Sequence, residues 1–211
     1  MTTFQTPEAI AVTIDIAAGN VTVVASDRTD TVVEVKPSDA AKKADIRAAE
    51  QVRVDFADGA LTVQTPKGWR SHSPFGSSSS IEVTVQVPTG SRLHATAALG
   101  RLVGSGALGE SELEVSMGDI LVERPQGSVT AKTAKGDIHI GEATRGVLRL
   151  ETATGEIEVG INPASGVRLE SSPPNGSVSN QLAPAGQAHD IVEVIARNST
   201  GNIVIRTATV A

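Results

Sequence analysis

The sequence predicts an all-β chain built as a β-solenoid, and three observations predict it. Glycine recurs at 100, 109, 118, 127, 136, 146, 155, 166 and 176, in steps of nine to eleven residues. Apolar and polar residues alternate between those glycines. Aromatic residues make up only 2% of the 211 residues, with no Tyr and one Trp. A compact sandwich or barrel draws heavily on rings to fill its centre. A chain without them needs a thin core that aliphatic side chains can fill alone, and a single-stranded β-helix-like coil provides one.

Every second glycine opens a similar phrase: Gly118-Asp-Ile-Leu-Val, Gly136-Asp-Ile-His-Ile, Gly155-Glu-Ile-Glu-Val and Gly201-Asn-Ile-Val-Ile. The full period is therefore roughly 18–21 residues, with two short strands in each coil. Leu113 and Val115 precede Ile120 and Val122; Val129 and Ala131 precede Ile138 and Ile140; Leu148 and Leu150 precede Ile157 and Val159. Alternation over four to six residues marks a strand buried on one side, and glycine supplies the backbone freedom a tight corner needs. A hairpin meander or sandwich is the rival reading. It calls for Asn-Gly or Asp-Gly turns and longer strands, whereas the order here is mostly Gly-Asp.

Stacked coils place like residues over like about every 4.8 Å, which gives charges a test. Glu114, Lys132 and Glu151 occupy one outward position and alternate in sign, a mildly favourable ladder. Asp119, Asp137 and Glu156 occupy the position after the glycine. Like charges at that spacing call for solvent, a nearby Lys135, or a cation.

The chain reads as one domain over residues 1–211. Residues 91–211 carry the regular repeats. Residues 8–90 hold strands at 9–16, 21–25, 31–35, 52–56, 60–64 and 81–87, with a helix over about 38–51 favoured by its alanines. They form an N-terminal β cap, although Gly19-Asn-Val-Thr-Val already echoes the repeat phrase. Residues 66–80 form a polar loop containing Trp69, Arg70 and Phe75. These are candidate partner-binding residues, since aromatics set among Ser and Gly can anchor a protein partner; the competing role for Trp69 is a plug over an open end. A second loop spans 171–190. The C-terminal strand, Asn202–Val210, is expected either to self-associate through its edge or to be covered by that second loop.

A net charge of −6 argues against nucleic acid and against docking on anionic lipid. There is no Cys, hence no disulfide framework and no thiolate zinc site. Residues 1–18 lack the basic start and apolar run of a signal peptide, and no stretch is long enough to span a bilayer. The expected location is cytoplasmic, with no membrane contact.

The strand Ile81-Glu-Val-Thr-Val-Gln-Val-Pro-Thr-Gly, followed by phrases of the form Thr/Ser-x-x-Gly-Asp-Ile-x-Val, resembles the bacterial putative-adhesin family, a domain of unknown function with β-strand repeats. The likeness covers roughly 8–210. It implies an all-β solenoid-like fold and no catalytic residues.

Chemistry beyond the scaffold has weak support. The row Asp119, Asp137, Glu156 is a weak candidate for a metal, because Ca²⁺ takes six to eight oxygens and the row lacks the doubled glycines of calcium-binding repeats. Glycoside hydrolysis needs two carboxylates across a cleft; the outward residues Glu112, Glu114, Lys132, Arg149, Glu151, Arg168 and Glu170 are of mixed sign. His72, His94, His139 and His189 form no metal-binding spacing. The expectation is a non-enzymatic scaffold or protein-interaction module, adhesin-like, with no cofactor. The alternatives are a glycan-binding or glycan-active β-helix and a Ca²⁺-stabilised surface adhesin.

Overall fold

The computed structural model describes residues 1–66, 79–172, 175–182 and 190–208. Strand makes up 66% and helix 4%, so the expected all-β class stands. The described elements are β1 (Thr2–Gln5), β2 (Ala11–Ser26), β3 (Asp30–Pro37), α1 (Lys43–Glu50), β4 (Arg53–Ala57), β5 (Ala60–Gln64), β6 (Ile81–Pro88), β7 (Arg92–Leu99), β8 (Leu102–Gly106) and β9 (Ser111–Met117). They continue with β10 (Ile120–Val122), β11 (Val129–Lys135), β12 (Ile138–Ala143), β13 (Gly146–Thr154), β14 (Ile157–Ile161), β15 (Ser165–Ser172), β16 (Val178–Gln181), β17 (Asp190–Thr200) and β18 (Ile203–Thr207).

From β5 onward, consecutive strands alternate between two sheets around one core. Sheet I runs β4-β5-β2-β7-β9-β11-β13-β17-β15. Sheet II runs β1-β3-β6-β2-β8-β10-β12-β14-β18-β16. Every pairing is parallel except those of β4, β3 and β1. The resulting wall is nearly closed and barrel-like in section. β2 belongs to both sheets and turns between them at Gly19.

Side chains of one type stand in rows through the core. Ile120, Ile138, Ile157 and Ile203 are in mutual register and at most 1% exposed. Across from them, Ala95, Leu113, Ala131, Leu150 and Ala196 alternate small and large. That alternation keeps a thin core filled without rings, since interiors tolerate neither voids nor overpacking. Where Gly104 leaves a gap in its row, the Leu108 side chain fills it, 2.8 Å from the place a Cβ would take.

The corner glycines form a column. A Cβ on Gly100 would lie 1.8 Å from the carbonyl oxygen of Gly19, one on Gly136 2.0 Å from that of Gly118, and one on Gly155 1.9 Å from that of Gly136. The phrase glycines are thus fixed both by backbone angle and by close approach to the neighbouring corner.

Several sequence expectations are corrected. The residues expected to form a cap, 8–90, contribute β5, β2 and β6 to the parallel stack itself, with β2 between β5–β6 and β7–β8. The strands expected at 9–16 and 21–25 are one, β2. The helix spans Lys43–Glu50 rather than 38–51. The Asp45 carboxylate accepts the backbone N–H groups of Asp39 and Ser80, at 3.2 and 3.1 Å, and the Asp39 carboxylate accepts that of Ala41. Those bonds fold 38–42 into a turn against the helix and win over alanine propensity. The C-terminal strand is not an edge: β18 lies between β14 and β16. Part of the segment expected as a loop, 171–190, supplies the covering strand β16.

The two ends of the stack differ. At one, antiparallel β4, β3 and β1 close the sheets, and Phe4 and Phe56 stack across the core with centroids 5.0 Å apart. At the other, among the described residues, β15 pairs only with β17 and β16 only with β18.

Candidate functional site

The outward residues of sheet I bring one predicted feature into register. Lys132 pairs with Glu114 on one side and Glu151 on the other, and Glu151 pairs with Arg197. Parity alone places them there, because Ala131, Thr133, Leu150 and Thr152 on either side point inward. The result is a row of alternating sign across β9, β11, β13 and β17. It ends near Glu170 on β15, whose carboxylate is 4.0 Å from the Arg197 guanidinium.

Beside this row runs an open groove of about 820 Å³. Its floor is cut by the small residues Ser116, Ala134, Ala153 and Ser199, which follow the inward position on successive strands. The groove carries three carboxylates, Glu114, Glu151 and Glu170. They stand on different strands, and Lys132 and Arg197 are interleaved between them along the stack.

Below the groove lies a polar row that periodicity reasoning passed over. Thr133 and Thr152 donate their hydroxyls to the carbonyls of Gly118 and Gly136, at 3.1 and 3.0 Å. Asn198, in register with Thr152, donates its amide to the Gly155 carbonyl at 3.4 Å. All three are almost fully buried. The Asn198 Oδ1 is buried with no hydrogen-bond partner among the described residues, an unusual state for an interior polar atom. The sequence signal was a polar residue at an inward position, three before the glycine.

The row Asp119, Asp137, Glu156 does line up along the corner between the sheets. One oxygen of each aspartate is spent on backbone: Asp119 Oδ1 accepts the Asp137 N–H at 3.1 Å, and Asp137 Oδ1 accepts the Glu156 N–H at 2.7 Å. Asn20 and Asn202 do the same for Arg101 and Ser177, at 3.2 and 3.3 Å. Asp119 also meets Arg101 at 3.2 Å. A carbonyl or carboxylate oxygen at this position thus caps the next corner, and an N–H that the ladder leaves over is satisfied. Among the described residues no group of three His, Asp or Glu side chains is gathered closely enough to hold a metal ion.

On sheet II, Glu158 joins two side chains. Its carboxylate contacts the His139 ring at 3.1 Å and the Arg206 guanidinium. The hydrogen bond from Arg206 holds the Glu158 carboxyl below its ordinary range, against the upward push of partial burial and with help from His139. Trp69, Arg70 and Phe75, the candidate partner-binding residues, lie outside the described residues, as does any plugging role for Trp69. Among the described residues no helix is long and apolar enough to cross a membrane.

No protein-family model matches the chain, and no curated protein matches it in sequence. Solved structures do. A putative cell adhesion protein from Clostridium sporogenes is similar over 98% of both chains, at 12% identity and a TM-score of 0.52. A putative adhesin from Bacteroides fragilis is similar over 97% of this chain and 95% of its own, at 13% identity and a TM-score of 0.45. The first likeness is one of fold. The resemblance to the bacterial putative-adhesin family therefore stands at the level of fold: this chain folds like a bacterial protein described as a putative cell adhesion protein.

Proposed function

We propose that the chain is a non-enzymatic binding module, adhesin-like, whose backbone path is a β-solenoid of 18–21-residue coils. Its recognition surface is the outer face of sheet I. The observation that carries this reading is the long open groove with alternating charge on one bank. Such a surface is rigid, because each charge is held on a strand paired on both sides. It is selective, because a bound chain must match the order of signs. The likeness to a putative cell adhesion protein supports a binding role.

A glycan-cleaving role would need an acid and a base facing each other across the sugar. The interleaving of Lys132 and Arg197 among the groove carboxylates speaks for binding instead. The test is retention of ligands on arrays of glycans and proteins by the full chain and by the K132E/R197E double variant. Retention lost in the variant, with the chain still folded and melting cooperatively, supports the reading. Retention unaffected by the double variant removes the groove as the surface. Release of new reducing ends from acidic polysaccharide by the wild type overturns the non-enzymatic assignment.

A further inference from the structure

The stack has one closed end and one open end, and the open end has the properties of an interface. Natural sheet edges are blunted by proline, lysine, bulges or short length. β15 is eight residues long, contains no Pro or Lys, and keeps an unbroken register with β17. Its outer edge offers backbone donors and acceptors with no strand beside them among the described residues. Val167 and Leu169 pack on the core yet stay partly exposed, as does Leu182 just beyond β16. Val178 on β16 is 40% exposed.

The occupant can be read from charge. Arg168 and Glu170 flank Leu169 and point outward. If β15 pairs antiparallel with a second β15 so that Leu169 faces Leu169, each Arg168 falls opposite a Glu170. The strand is therefore its own electrostatic complement in this one register. Glu170 is only loosely engaged within its own chain, since it and Arg197 are both more than 60% exposed and 4.0 Å apart. A two-fold axis perpendicular to the sheets also turns β16 against its own copy, so both sheets continue from one chain into the next.

The closed end decides the size of the assembly. At that end the outermost strands are β4 and β1, five and four residues long, and such short edges offer little to the eight-residue edge of β15. Pairing of β15 with its own copy is isologous, and an interface of that kind closes at two subunits. We propose that the outer edges of β15 and β16 form the interface of a two-fold symmetric dimer in which β15 pairs antiparallel about Leu169 and Arg168 meets the partner's Glu170. This assignment does not depend on what occupies the groove of sheet I.

The experiment is sedimentation equilibrium of the full chain over a concentration series, with melting temperatures recorded in parallel. The wild type should show reversible dimerisation. R168E sets like charges opposite each other and should weaken the dimer by roughly tenfold or more. R168E/E170R restores opposite signs and should recover wild-type affinity. A wild type that stays monomeric at about 100 μM overturns the proposal, because an edge pairing of this kind should be populated well below that. So does a dimer that R168E leaves unchanged, or one that the charge swap fails to restore.

Discussion

The carbonyl oxygen of Gly100 lies 1.7 Å from the point a Cβ on Gly118 would occupy. The obstacle is backbone, so it cannot rotate aside, and Gly118 also has a φ of +143°. Gly118→Ala should therefore cost about 3 kcal/mol or prevent folding. Gly59 is the control. Its φ is +73°, but a Cβ there would meet nothing within 4 Å. Gly59→Ala should cost only about 1 kcal/mol, the conformational term alone. Urea melts of the two variants check the contrast, and equal losses would mean that the glycine column is not tightly stacked.

The buried polar row makes a second comparison. Thr152→Val removes the hydroxyl donated to the Gly136 carbonyl and should cost about 1–2 kcal/mol. Asn198→Thr should be neutral or stabilising by up to about 1 kcal/mol. It keeps a donor for the Gly155 carbonyl, as Thr133 and Thr152 do for theirs, and eliminates the unpartnered Oδ1. A clear loss of stability in Asn198→Thr would show that the oxygen has a partner after all.

K132E places three carboxylates in consecutive register on β9, β11 and β13. The expected cost is about 1 kcal/mol at low salt, shrinking as added salt screens the row. Melting curves at low and high ionic strength should converge for wild type and variant. A difference independent of salt would mean that Lys132 acts through packing of its stem.

Glu158 sets an acid-dependent term. Its carboxyl is held below the ordinary value of 4.5, so the charged form is favoured more in the folded chain than in the unfolded one. The stabilisation is complete above the unfolded value and fades as pH falls through the lower folded value. In Arg206→Ala the main cause of that depression is gone. The stability gap between wild type and variant should be full at neutral pH and should narrow as the solution is acidified below about 4.5. A gap constant with pH would place the Arg206 contribution elsewhere.

The all-β class was legible because alternation and glycine spacing are local signals. The phrases at Gly118, Gly136 and Gly155 do fall in one column, and Glu114, Lys132 and Glu151 do fall in one row. What local signals could not carry was the order of strands. β2 and β5 pair at a separation of nearly fifty residues, Ala11 with Ala60, and nothing in either strand names its neighbour. The Asp119–Asp137–Glu156 row was visible, but its role in capping corners was not, because the acceptors face backbone that has no sequence signature. Asn198 was missed because Thr133 and Thr152 read as ordinary strand residues once their apolar neighbours had set the pattern.

The placement of β17 and β18 has a consequence for synthesis. Residues 190–208 leave the ribosome after β15 and β16, yet lie between those strands and β13–β14. The outer pair cannot reach its final position until later residues have emerged to separate it from the rest. During translation the chain must either leave β15 and β16 waiting or let them rest temporarily on β13 and β14 and then give way. β2 poses the mirror problem, since it is made early and acquires its two neighbouring layers, β5–β6 and β7–β8, one after the other. Maturation of this protein is therefore not a simple winding from first residue to last.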